Sequence, residues 1–341
     1  MNVLFDLVHP AQVHFFKNAI AILITRGDKV MVTAREKDVT VALLKSLNID
    51  HICISTKGSS LLAMGFELIA RSYKLYKIAK AFRPDVMVAR VGVSVGPVGK
   101  IMGIPTVVYD DMEHAKLQGS IGMTFATYIC SGLGYYKDFG KRHIRFAGSP
   151  VMSYVSSKYF TPDKAPLLQA GLDPDAPYIF MRTVCWDANH DVGRAGSSPQ
   201  ELINAINTLR QFGRVVISSE ERLPAELAQY ENPVPVNQMH NLLAFAKLCI
   251  VEGGTMAAEA AVLGVPVICR KSYDFGYLRA LETEYALIAR PDTMDDIIKM
   301  ASKWLVNDQL STEWKAKQKK LVDESDDVTQ FQLDMISRAI K

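Results

Sequence analysis

Residues 251–269 read VEGGTMAAEAAVLGVPVIC, which is the clearest secondary-structure pattern in the chain. It predicts a short buried strand, a double-glycine turn, a helix built almost entirely of small residues, and a second strand. Two strands joined by a helix form a parallel pair with a right-handed crossover. The stretch is therefore one unit of a doubly wound sheet, and within its helix only Thr255 and Glu259 have side chains suited to polar contacts.

The same alternation of strand and helix patterns runs through the whole chain. In the first half, the patterns predict strands at residues 2–8, 29–33, 51–55, 85–89 and 106–109 and helices at 12–25, 36–47 and 61–82. In the second half, they predict strands at 178–181, 215–218, 248–251 and 265–269 and helices at 199–211, 240–246 and 255–263. We therefore predict an α/β protein with two doubly wound, Rossmann-like domains.

The length of the chain fits two domains. Its 341 residues exceed one ordinary core and match two domains of roughly 150 to 170 residues each. Turn residues at 146–150 predict an N-terminal domain over residues 1–150, followed by a C-terminal domain over 151–325. Residues 326–341 are helical and charged, and we expect this helix to pack back on the N-terminal domain.

Composition and charge exclude several classes of protein. Hydrophobic residues make up 49% of the chain and charged residues 22%, which is typical of a globular protein with large cores. A net charge of +3 is too small to indicate a nucleic-acid partner. The five cysteines lack C-x-x-C spacing, and no stretch resembles a signal peptide or a membrane-spanning helix. We expect a cytoplasmic protein with reduced thiols.

The turn at Gly253 and Gly254 is a candidate binding site for phosphate. Glycines between a strand and a helix let backbone N–H groups approach an anion, and the helix dipole favours negative charge there. Thr255 lies in the first turn and Glu259 one turn later on the same face, where its carboxylate suits the two hydroxyls of a ribose. In the structural alternative, Thr255 caps the helix and Glu259 is a solvated carboxylate.

Beginning at Gly253, the pattern G-G-T-x-x-x-E-A-A-x-L-G-x-P-x-I resembles the donor-binding signature of GT-B glycosyltransferases and UDP-N-acetylglucosamine 2-epimerases. In those enzymes the glycine turn meets the diphosphate of the nucleotide sugar and the glutamate holds the ribose. Over its whole length the chain resembles the family known as domain of unknown function 354, whose members resemble the N-acetylglucosaminyltransferase of peptidoglycan synthesis. The resemblance implies GT-B architecture, with two domains facing a cleft. It also rests on residues 14–17, 33–40, 146–151, 186–191 and 217–220.

The segment HPAQVH, residues 9–14, follows the first predicted strand. In a doubly wound sheet, ligands bind beyond the carboxyl ends of the strands, where this segment lies. The peptidoglycan enzyme has a glycine-rich turn here, which this sequence lacks. His14 is a candidate catalytic base, because its ordinary pKa of about 6.5 suits proton transfer from an acceptor hydroxyl. The alternative is that His14 caps or packs the start of a helix.

Titratable residues follow the strand predicted at 106–109. Asp110, Asp111, Glu113 and His114 lie at the same predicted edge of the sheet. Neighbouring carboxylates separate each other's pKa values, which favours acid or base catalysis. We predict Asp111 and Glu113 as catalytic residues, ahead of Asp110 and His114, and the alternative is an ordinary solvated loop.

A long polar segment, residues 182–196, follows the first strand of the second domain. Connecting segments are usually short, so this one indicates a binding role. Arg182 offers a forked donor to phosphate, and Trp186 offers an aromatic face to a sugar. The other predicted donor contacts in the segment are Asp187, His190 and Asp191, which are weak evidence for a metal site. The resemblance adds donor contacts outside the segment, namely Ser219, Met239 and His240.

Basic and aromatic residues are interleaved along the helix at residues 61–83. The basic residues are Arg71, Lys74, Lys77, Lys80 and Arg83, and the aromatic residues are Phe66, Tyr73, Tyr76 and Phe82. This pattern suits a membrane surface that carries anionic lipid. We expect peripheral membrane contact through this helix, and the alternative is a solvated helix over a core.

These features predict a metal-independent GT-B glycosyltransferase that needs no cofactor and uses a nucleotide sugar, with UDP as the expected nucleotide. The expected acceptor is a hydroxyl of a glycan or lipid-linked sugar in cell-surface polysaccharide synthesis, at the inner face of the membrane. One alternative is an epimerase or hydrolysing enzyme that acts on UDP-N-acetylglucosamine on the same scaffold. Another is a nucleotide-sugar-binding protein without turnover.

Overall fold

In the computed structural model, the described residues are 1–37, 39–56, 58, 61–111, 113, 116–183, 196–219, 222–270 and 275–341, with 61, 62 and 116–120 described by their backbone alone. The chain divides into two compact units. The N-terminal unit comprises Met1–Tyr154, Phe275–Tyr277 and Ser325–Lys341, and the C-terminal unit comprises Val155–Asp274 and Leu278–Glu324. The sequence did not indicate that residues 275–277 group with the N-terminal unit.

The N-terminal unit contains a parallel sheet with the strand order β3-β2-β1-β4-β5-β6-β7. The strands are β1 (Asn2–Leu7), β2 (Lys29–Glu36), β3 (Ile52–Thr56), β4 (Val86–Arg90), β5 (Thr106–Tyr109), β6 (Tyr128–Ser131) and β7 (His143–Arg145). The central strands are almost wholly buried, as expected for apolar parallel strands covered on both faces. The order reverses between β1 and β4, and in doubly wound sheets such a reversal marks the ligand-binding crevice beyond the carboxyl ends of the strands.

Helices connect these strands. They are α1 (Pro10–Thr25), α2 (Thr40–Ser46), α3 (Leu61–Phe82), α4 (Val95–Met102), α5 (Lys116–Phe125) and α6 (Met152–Val155). Pro10 occupies the first position of α1, where its missing N–H costs no hydrogen bond and its fixed φ suits the helix.

The C-terminal unit contains a parallel sheet with the order β12-β11-β10-β8-β9. The strands are β8 (Tyr178–Thr183), β9 (Arg214–Ser219), β10 (Leu248–Val251), β11 (Val267–Cys269) and β12 (Ile288–Ala289). The helices of this half of the chain are α7 (Ala165–Gln169), α8 (Pro199–Leu209), α9 (Met239–Ala244), α10 (Gly254–Val262), α11 (Gly276–Thr283), α12 (Met294–Leu305) and α13 (Leu310–Asp323). Here the strand order reverses between β8 and β10.

The last helix, α14 (Val328–Ile340), belongs to the N-terminal unit. The Gln332 amide donates a hydrogen bond to the carbonyl of Phe15 at 3.0 Å, and the Thr329 hydroxyl donates to the carbonyl of Ser153 at 2.9 Å. The ring of Phe331 meets Tyr109 edge-on, with 6.5 Å between centroids. The helix therefore completes the core beside β4 and β5.

The predicted α/β class with two parallel sheets is confirmed. Helix α2 is shorter than predicted because β2 continues through Arg35 and Glu36, which pair with β3. The Arg35 guanidinium also donates to Glu67 at 2.7 Å. Strand β6 was not predicted. Strand β12 was not predicted because it has only two residues, and α4 was not predicted because its sequence, VGPVGKIM, is rich in glycine and proline.

Helices α4 and α5 approach closely at a pair of glycines. A Cβ added at Gly122 would lie 1.8 Å from the carbonyl oxygen of Val91, and one added at Gly96 would lie 2.4 Å from that of Gly122. We expect Gly122→Ala to lower the free energy of unfolding by about 1–3 kcal/mol, because the backbones must separate. Urea denaturation measures this change.

Gly65→Ala is the matched control. Gly65 lies in the exposed face of α3, and a Cβ added there meets no atom within 4 Å. Alanine should stabilise this helix by up to about 1 kcal/mol through its helix propensity. Equal effects of the two substitutions would contradict the close approach at Gly122.

Candidate functional site

Two histidines follow β1 in the N-terminal unit. His9 is the N-cap of α1, and its Nδ1 accepts a hydrogen bond from the backbone N–H of Ala11 at 3.2 Å. His14 lies in the second turn, half-buried, and its ring stacks on Tyr154 with 5.3 Å between centroids. His9 and not His14 therefore caps the helix. The catalytic role of His14 stays a prediction. Stacking on Tyr154 fixes its ring in the helix that follows β1, one of the two strands between which the strand order reverses.

Arg90, at the end of β4, forms an ion pair with Asp111, which follows β5. The two side chains are only 11% and 17% exposed. Burial disfavours the charge on the guanidinium, but the Asp111 carboxylate outweighs this effect and raises the pKa of Arg90. The Arg90 guanidinium carbon also lies 4.9 Å from the centroid of the Phe15 ring. Asp111 thus has a fixed cationic partner, which the sequence did not indicate.

Asp110 is buried beside Tyr135. The Tyr135 hydroxyl donates a hydrogen bond to Asp110, whose side chain is 3% exposed. Burial, together with the negative charge of Asp110, raises the pKa of Tyr135 above its ordinary value. The phenol therefore remains protonated and acts as a donor. The alternative of an ordinary solvated loop is wrong for Asp110.

Glu113 is a second buried carboxyl at this edge. It is 2% exposed, its Oε1 accepts the backbone N–H of Gly276 at 3.2 Å, and its Oε2 has no hydrogen-bond partner among the described residues. Burial raises the pKa of Glu113 to about 7, and the charges of Asp110 and Asp111 act in the same direction. A carboxyl that titrates near neutral pH can either donate or accept a proton.

The Gly276 partner comes from the short segment Phe275–Tyr277, which groups with the N-terminal unit. A Cβ added at Gly276 would lie 2.0 Å from the carbonyl oxygen of Gly134 and 2.6 Å from Glu113 Oε1. A side chain at this position would therefore displace the segment from Glu113. The sequence carried no signal for this contact, since the two residues are 163 positions apart.

In the C-terminal unit, the predicted residues Arg182 and Ser219 lie at the carboxyl ends of β8 and β9. Arg182 Nη1 donates to the hydroxyl of Ser218 at 2.8 Å, and its backbone carbonyl accepts the N–H of Glu252 at 3.1 Å. Arg182 is half-buried, next to the reversal of strand order between β8 and β10.

Five of the predicted residues lie outside the described residues. They are His114, Trp186, Asp187, His190 and Asp191.

The double-glycine turn opens α10. Gly253 is the N-cap, with extended backbone and no side-chain cap bond, and Thr255 is exposed in the first turn. Glu259 is 6% exposed, and its Oε1 lies 3.2 Å from Nε2 of His240 on α9. Both parts of the structural alternative are wrong, because Thr255 is not the cap and Glu259 is not solvated. Nor do Thr255 and Glu259 share one exposed face, since the helix turns Glu259 towards α9.

The structure thus brings together two predicted donor residues, Glu259 and His240, from different helices. His240 is 8% exposed and contacts the ring of Phe160 edge-on at 5.9 Å between centroids. The neighbouring Met239 begins α9 and is also 8% exposed. The buried carboxylate of Glu259 and the imidazole of His240 therefore form a polar pair between α10 and α9, about one turn after the glycine turn.

A second polar cluster beside this turn was not predicted. Glu252, 4% exposed, accepts hydrogen bonds from the backbone N–H of Ser197 at 2.8 Å and from its hydroxyl at 2.5 Å. Arg270, directly after β11, lies 3.6 Å from Glu252 and donates to Glu201 at 3.2 Å. The sequence could have indicated Glu252 and Arg270, since each directly follows a strand. It could not have indicated their partners, which come from α8 and the segment before it.

In the described ranges, no three His, Cys, Asp or Glu side chains are grouped as ligands for a metal ion.

Helix α3 carries an exposed apolar row. Phe66, Ile69 and Tyr73 are 73%, 70% and 58% exposed, at the spacing that places them on one helix face. Lys77 Nζ lies 4.7 Å from the centroid of the Tyr73 ring. Within the part of the chain that the structure describes, no helix has the length and hydropathy needed to cross a membrane.

Other residues of α3 correct the predicted surface. Arg71 is 4% exposed, forms an ion pair with Asp6 and donates to the Ser55 hydroxyl at 2.8 Å. Tyr76 and Phe82 are partly buried and pack against the core under the sheet. These three side chains belong to the interior because the helix turns them towards β1, β3 and β4. The interleaved basic and aromatic residues of the sequence do not indicate which of them face the sheet.

Two proteins are similar to this chain in sequence. An uncharacterized protein of Methanocaldococcus jannaschii is 26% identical over 278 residues, which cover 79% of this chain and 81% of that protein. The UDP-N-acetylglucosamine–N-acetylmuramyl-(pentapeptide) pyrophosphoryl-undecaprenol N-acetylglucosamine transferase of Tolumonas auensis is 24% identical over 222 residues. That match covers 60% of this chain and 57% of the transferase, so it spans little more than half of that enzyme.

Solved structures show the same fold. The UDP-N-acetylglucosamine 2-epimerase from Neisseria meningitidis, bound to UDP-N-acetylglucosamine, superposes with a TM-score of 0.71 at 12% identity, covering 99% of this chain and 100% of that chain. The calicheamicin glycosyltransferase superposes with a TM-score of 0.62 at 14% identity, covering 99% and 98%. The predicted GT-B architecture is therefore confirmed at the level of the fold.

The family follows from a match to the whole chain. The family model described as Protein of unknown function (DUF354) matches residues 1–341, including both sheets and every segment that carries the candidate site residues. This agrees with the resemblance read from the sequence. The protein belongs to the DUF354 family.

Proposed function

We propose that this protein is a glycosyltransferase that moves a sugar from a nucleotide sugar, with UDP as the nucleotide, to an acceptor hydroxyl. The observation that carries the proposal is the start of α10. Gly253 caps this helix without a side-chain hydrogen bond, so the backbone N–H groups of the first turn can bind an anion, and one turn later Glu259 contacts His240. This turn follows β10 beside the reversal of strand order, where doubly wound sheets bind ligands.

In the proposed donor site, the diphosphate lies against the backbone N–H groups at Gly253 and Gly254 and against the Thr255 hydroxyl. Glu259 accepts hydrogen bonds from the ribose, and His240 flanks the base together with Met239. As the glycosidic bond breaks, negative charge develops on the departing UDP. The backbone N–H groups, the helix dipole and the Arg182 guanidinium stabilise that charge, so the mechanism requires no divalent metal. Further donor contacts come from Ser219, Trp186, Asp187, His190 and Asp191.

The N-terminal unit supplies the base in this proposal. Glu113 removes the proton from the acceptor hydroxyl, and the freed oxygen attacks the anomeric carbon of the donor sugar. A carboxyl with a pKa of about 7 is ionised often enough at neutral pH to accept this proton and basic enough to hold it. Asp111 fixes Arg90 at the same edge through their ion pair, and His14 is the second candidate base.

A 2-epimerase or hydrolysing enzyme is the second candidate. Two observations favour it. The epimerase structure has the higher of the two TM-scores given above, 0.71, and the buried carboxyls of Asp110 and Glu113 cluster with the half-buried Asp111. Such a cluster suits the removal and return of a proton on the sugar itself. This enzyme would act on UDP-N-acetylglucosamine with no acceptor present.

Thermal-shift measurements with a panel of sugar nucleotides test the donor class first. We expect a UDP-sugar to raise the melting temperature, because a ligand that binds only the native state stabilises it. The stabilising nucleotide sugar is then incubated with the protein alone, and the products are separated. Epimer or free UDP identifies the second candidate. Turnover that depends on an added glycan or lipid-linked acceptor supports the transferase, and binding without either product supports a non-catalytic binding protein.

We further propose that the protein contacts the inner face of the membrane through α3, where lipid-linked acceptors are available. The exposed row of Phe66, Ile69 and Tyr73, with lysines on the same helix, combines apolar insertion with attraction to anionic lipid. We expect Phe66→Ser combined with Ile69→Ser to weaken the affinity for phosphatidylglycerol vesicles, measured by co-sedimentation, by about 30-fold or more, since about 2 kcal/mol or more of apolar burial is lost. Ile24→Ser, at a residue 56% exposed on α1, is the control. Equal binding by all three proteins would contradict membrane contact through α3.

A further inference from the structure

A cavity of about 450 Å³ lies in the C-terminal unit between α12, α13 and the turn before β12. Its volume is in the range of small-ligand sites. Ile288, on its wall, begins β12 and pairs with Val267 at the start of β11, whereas Arg270 follows the end of β11. Because the strands are parallel, the cavity lies at the opposite edge of the sheet from the proposed donor site.

Two tryptophans form one wall of the cavity. Trp304 on α12 and Trp314 on α13 have ring centroids 4.6 Å apart with 56° between their planes. Trp314 is 4% exposed, and its indole N–H donates to the carbonyl of Leu287 at 2.7 Å. The wall is therefore both aromatic and fixed in place. Indole surfaces of this kind pack against the apolar faces of sugar and base rings.

The turn that closes the cavity is held by α13. Besides the Trp314 contact, Lys320 Nζ donates to the carbonyl of Glu284 at 3.4 Å, and the Tyr285 hydroxyl donates to Glu324 at 2.9 Å. Ala286 lies between these anchors, lines the cavity and has a φ of 50°, in the left-handed region that residues other than glycine rarely adopt. Backbone strain that the surrounding structure maintains is concentrated at ligand sites.

Two lysines bring positive charge to the cavity. Lys303 and Lys317 both line it, and the Nζ of Lys317 lies 3.6 Å from the centroid of the Trp314 ring. Partial burial lowers the pKa of Lys317. In the described part of the chain, neither ammonium lies within ion-pair distance of a carboxylate.

The acidic residues of the cavity already have partners. Glu282 forms an ion pair with Arg290 at 2.9 Å, and Glu313 accepts a hydrogen bond from the Asn307 amide at 3.1 Å. The carboxylates are therefore engaged, while the two lysines remain available for an anion. The lining of the cavity therefore combines an aromatic wall with two lysines.

We propose that this cavity binds a phosphorylated ring ligand, either a sugar phosphate or a nucleotide, with the ring against Trp304 and Trp314 and the phosphate between Lys303 and Lys317. This site is separate from the proposed donor site and does not depend on the proposed function. A ligand here would contact α12, α13 and the turn before β12 at once.

Tryptophan fluorescence tests the proposal on the full-length chain. The sequence contains three tryptophans, so Trp186→Phe leaves only the two in the cavity as reporters. We titrate this protein with glucose 1-phosphate, uridine monophosphate, inorganic phosphate and glucose. We expect saturable fluorescence changes with glucose 1-phosphate or uridine monophosphate, weaker binding of inorganic phosphate and none of glucose. The better of the first two probes identifies the ligand class.

Matched variants locate the binding. Lys303→Ala combined with Lys317→Ala should weaken the affinity at least about tenfold, whereas Lys315→Ala, at an exposed lysine on the same helix, should leave it within about twofold. Adding Glu259→Ala should leave the signal intact, since that residue belongs to the proposed donor site. The absence of a saturable change with both phosphorylated probes, or unchanged affinity in the double lysine variant, would overturn the proposal.

Discussion

Replacing Glu259 with alanine is expected to weaken the binding of UDP and UDP-sugars about 10- to 100-fold and to remove measurable turnover. Its carboxylate is 6% exposed and lies 3.2 Å from His240, so the substitution removes the proposed ribose acceptor and also releases the imidazole beside the base. Hydrogen bonds to charged groups are worth about 1.5–3 kcal/mol, which corresponds to the stated change in Kd. Isothermal titration calorimetry with UDP measures the change directly.

Two further variants control this experiment. Glu259→Gln keeps the size of the side chain and one acceptor oxygen, so its affinity should fall between those of the wild type and the alanine variant. Glu226→Ala removes an exposed glutamate from the same unit and should leave the affinity unchanged. A folded Glu259→Ala protein that is inactive yet binds UDP-sugar with wild-type affinity would contradict the donor assignment.

Glu113→Gln is expected to lower kcat about 10²- to 10⁴-fold, because the amide cannot take a proton from the acceptor. The same variant should change how stability depends on pH. The pKa of Glu113 is about 7 in the folded protein, against an ordinary value of 4.5. Between these values the native state retains a proton that the unfolded chain has lost, so rising pH lowers the free energy of unfolding by up to about 1.4 kcal/mol per pH unit.

This stabilising contribution is fully present below pH 4.5 and is lost as the pH rises through about 7. Glutamine does not titrate, so the Glu113→Gln protein should gain stability relative to the wild type between pH 5 and pH 8. Urea denaturation at both pH values measures the difference, and Glu226→Gln, an exposed site, should show no such trend. A constant difference would be evidence against the raised pKa, and full activity of the variant would exclude Glu113 as the base.

Much of the fold could be predicted because long apolar runs form strands and helices whatever their partners. Strand β10 and helix α3 have the bounds expected from their patterns. Strand β12 could not be predicted from two residues, which pair with β11 and follow a turn that Trp314 of α13 contacts. The place of residues 275–277 in the N-terminal unit also depends on contacts remote in sequence.

The candidate site was predicted in a similar way. Polar residues at or shortly after the carboxyl ends of strands, such as Arg182 and Glu113, could be recognised from position alone. Their partners could not, because Arg90 meets Asp111 and Glu252 meets Ser197 only after the sheets have formed. The burial of Glu259 was missed for the same reason: a helical pattern fixes which residues share a face, but not whether a neighbouring helix covers it.

The position of α14 has a consequence for folding during synthesis of the chain. Most of the N-terminal unit is synthesised before the C-terminal unit, yet its core beside Phe15 and Tyr109 is closed by Gln332 and Phe331, which follow the C-terminal unit in the chain. Folding during synthesis therefore cannot finish this unit until the C-terminal unit has also been translated. Until then, the apolar surface that α14 covers in the folded protein remains exposed, and exposed apolar surface of this kind favours aggregation.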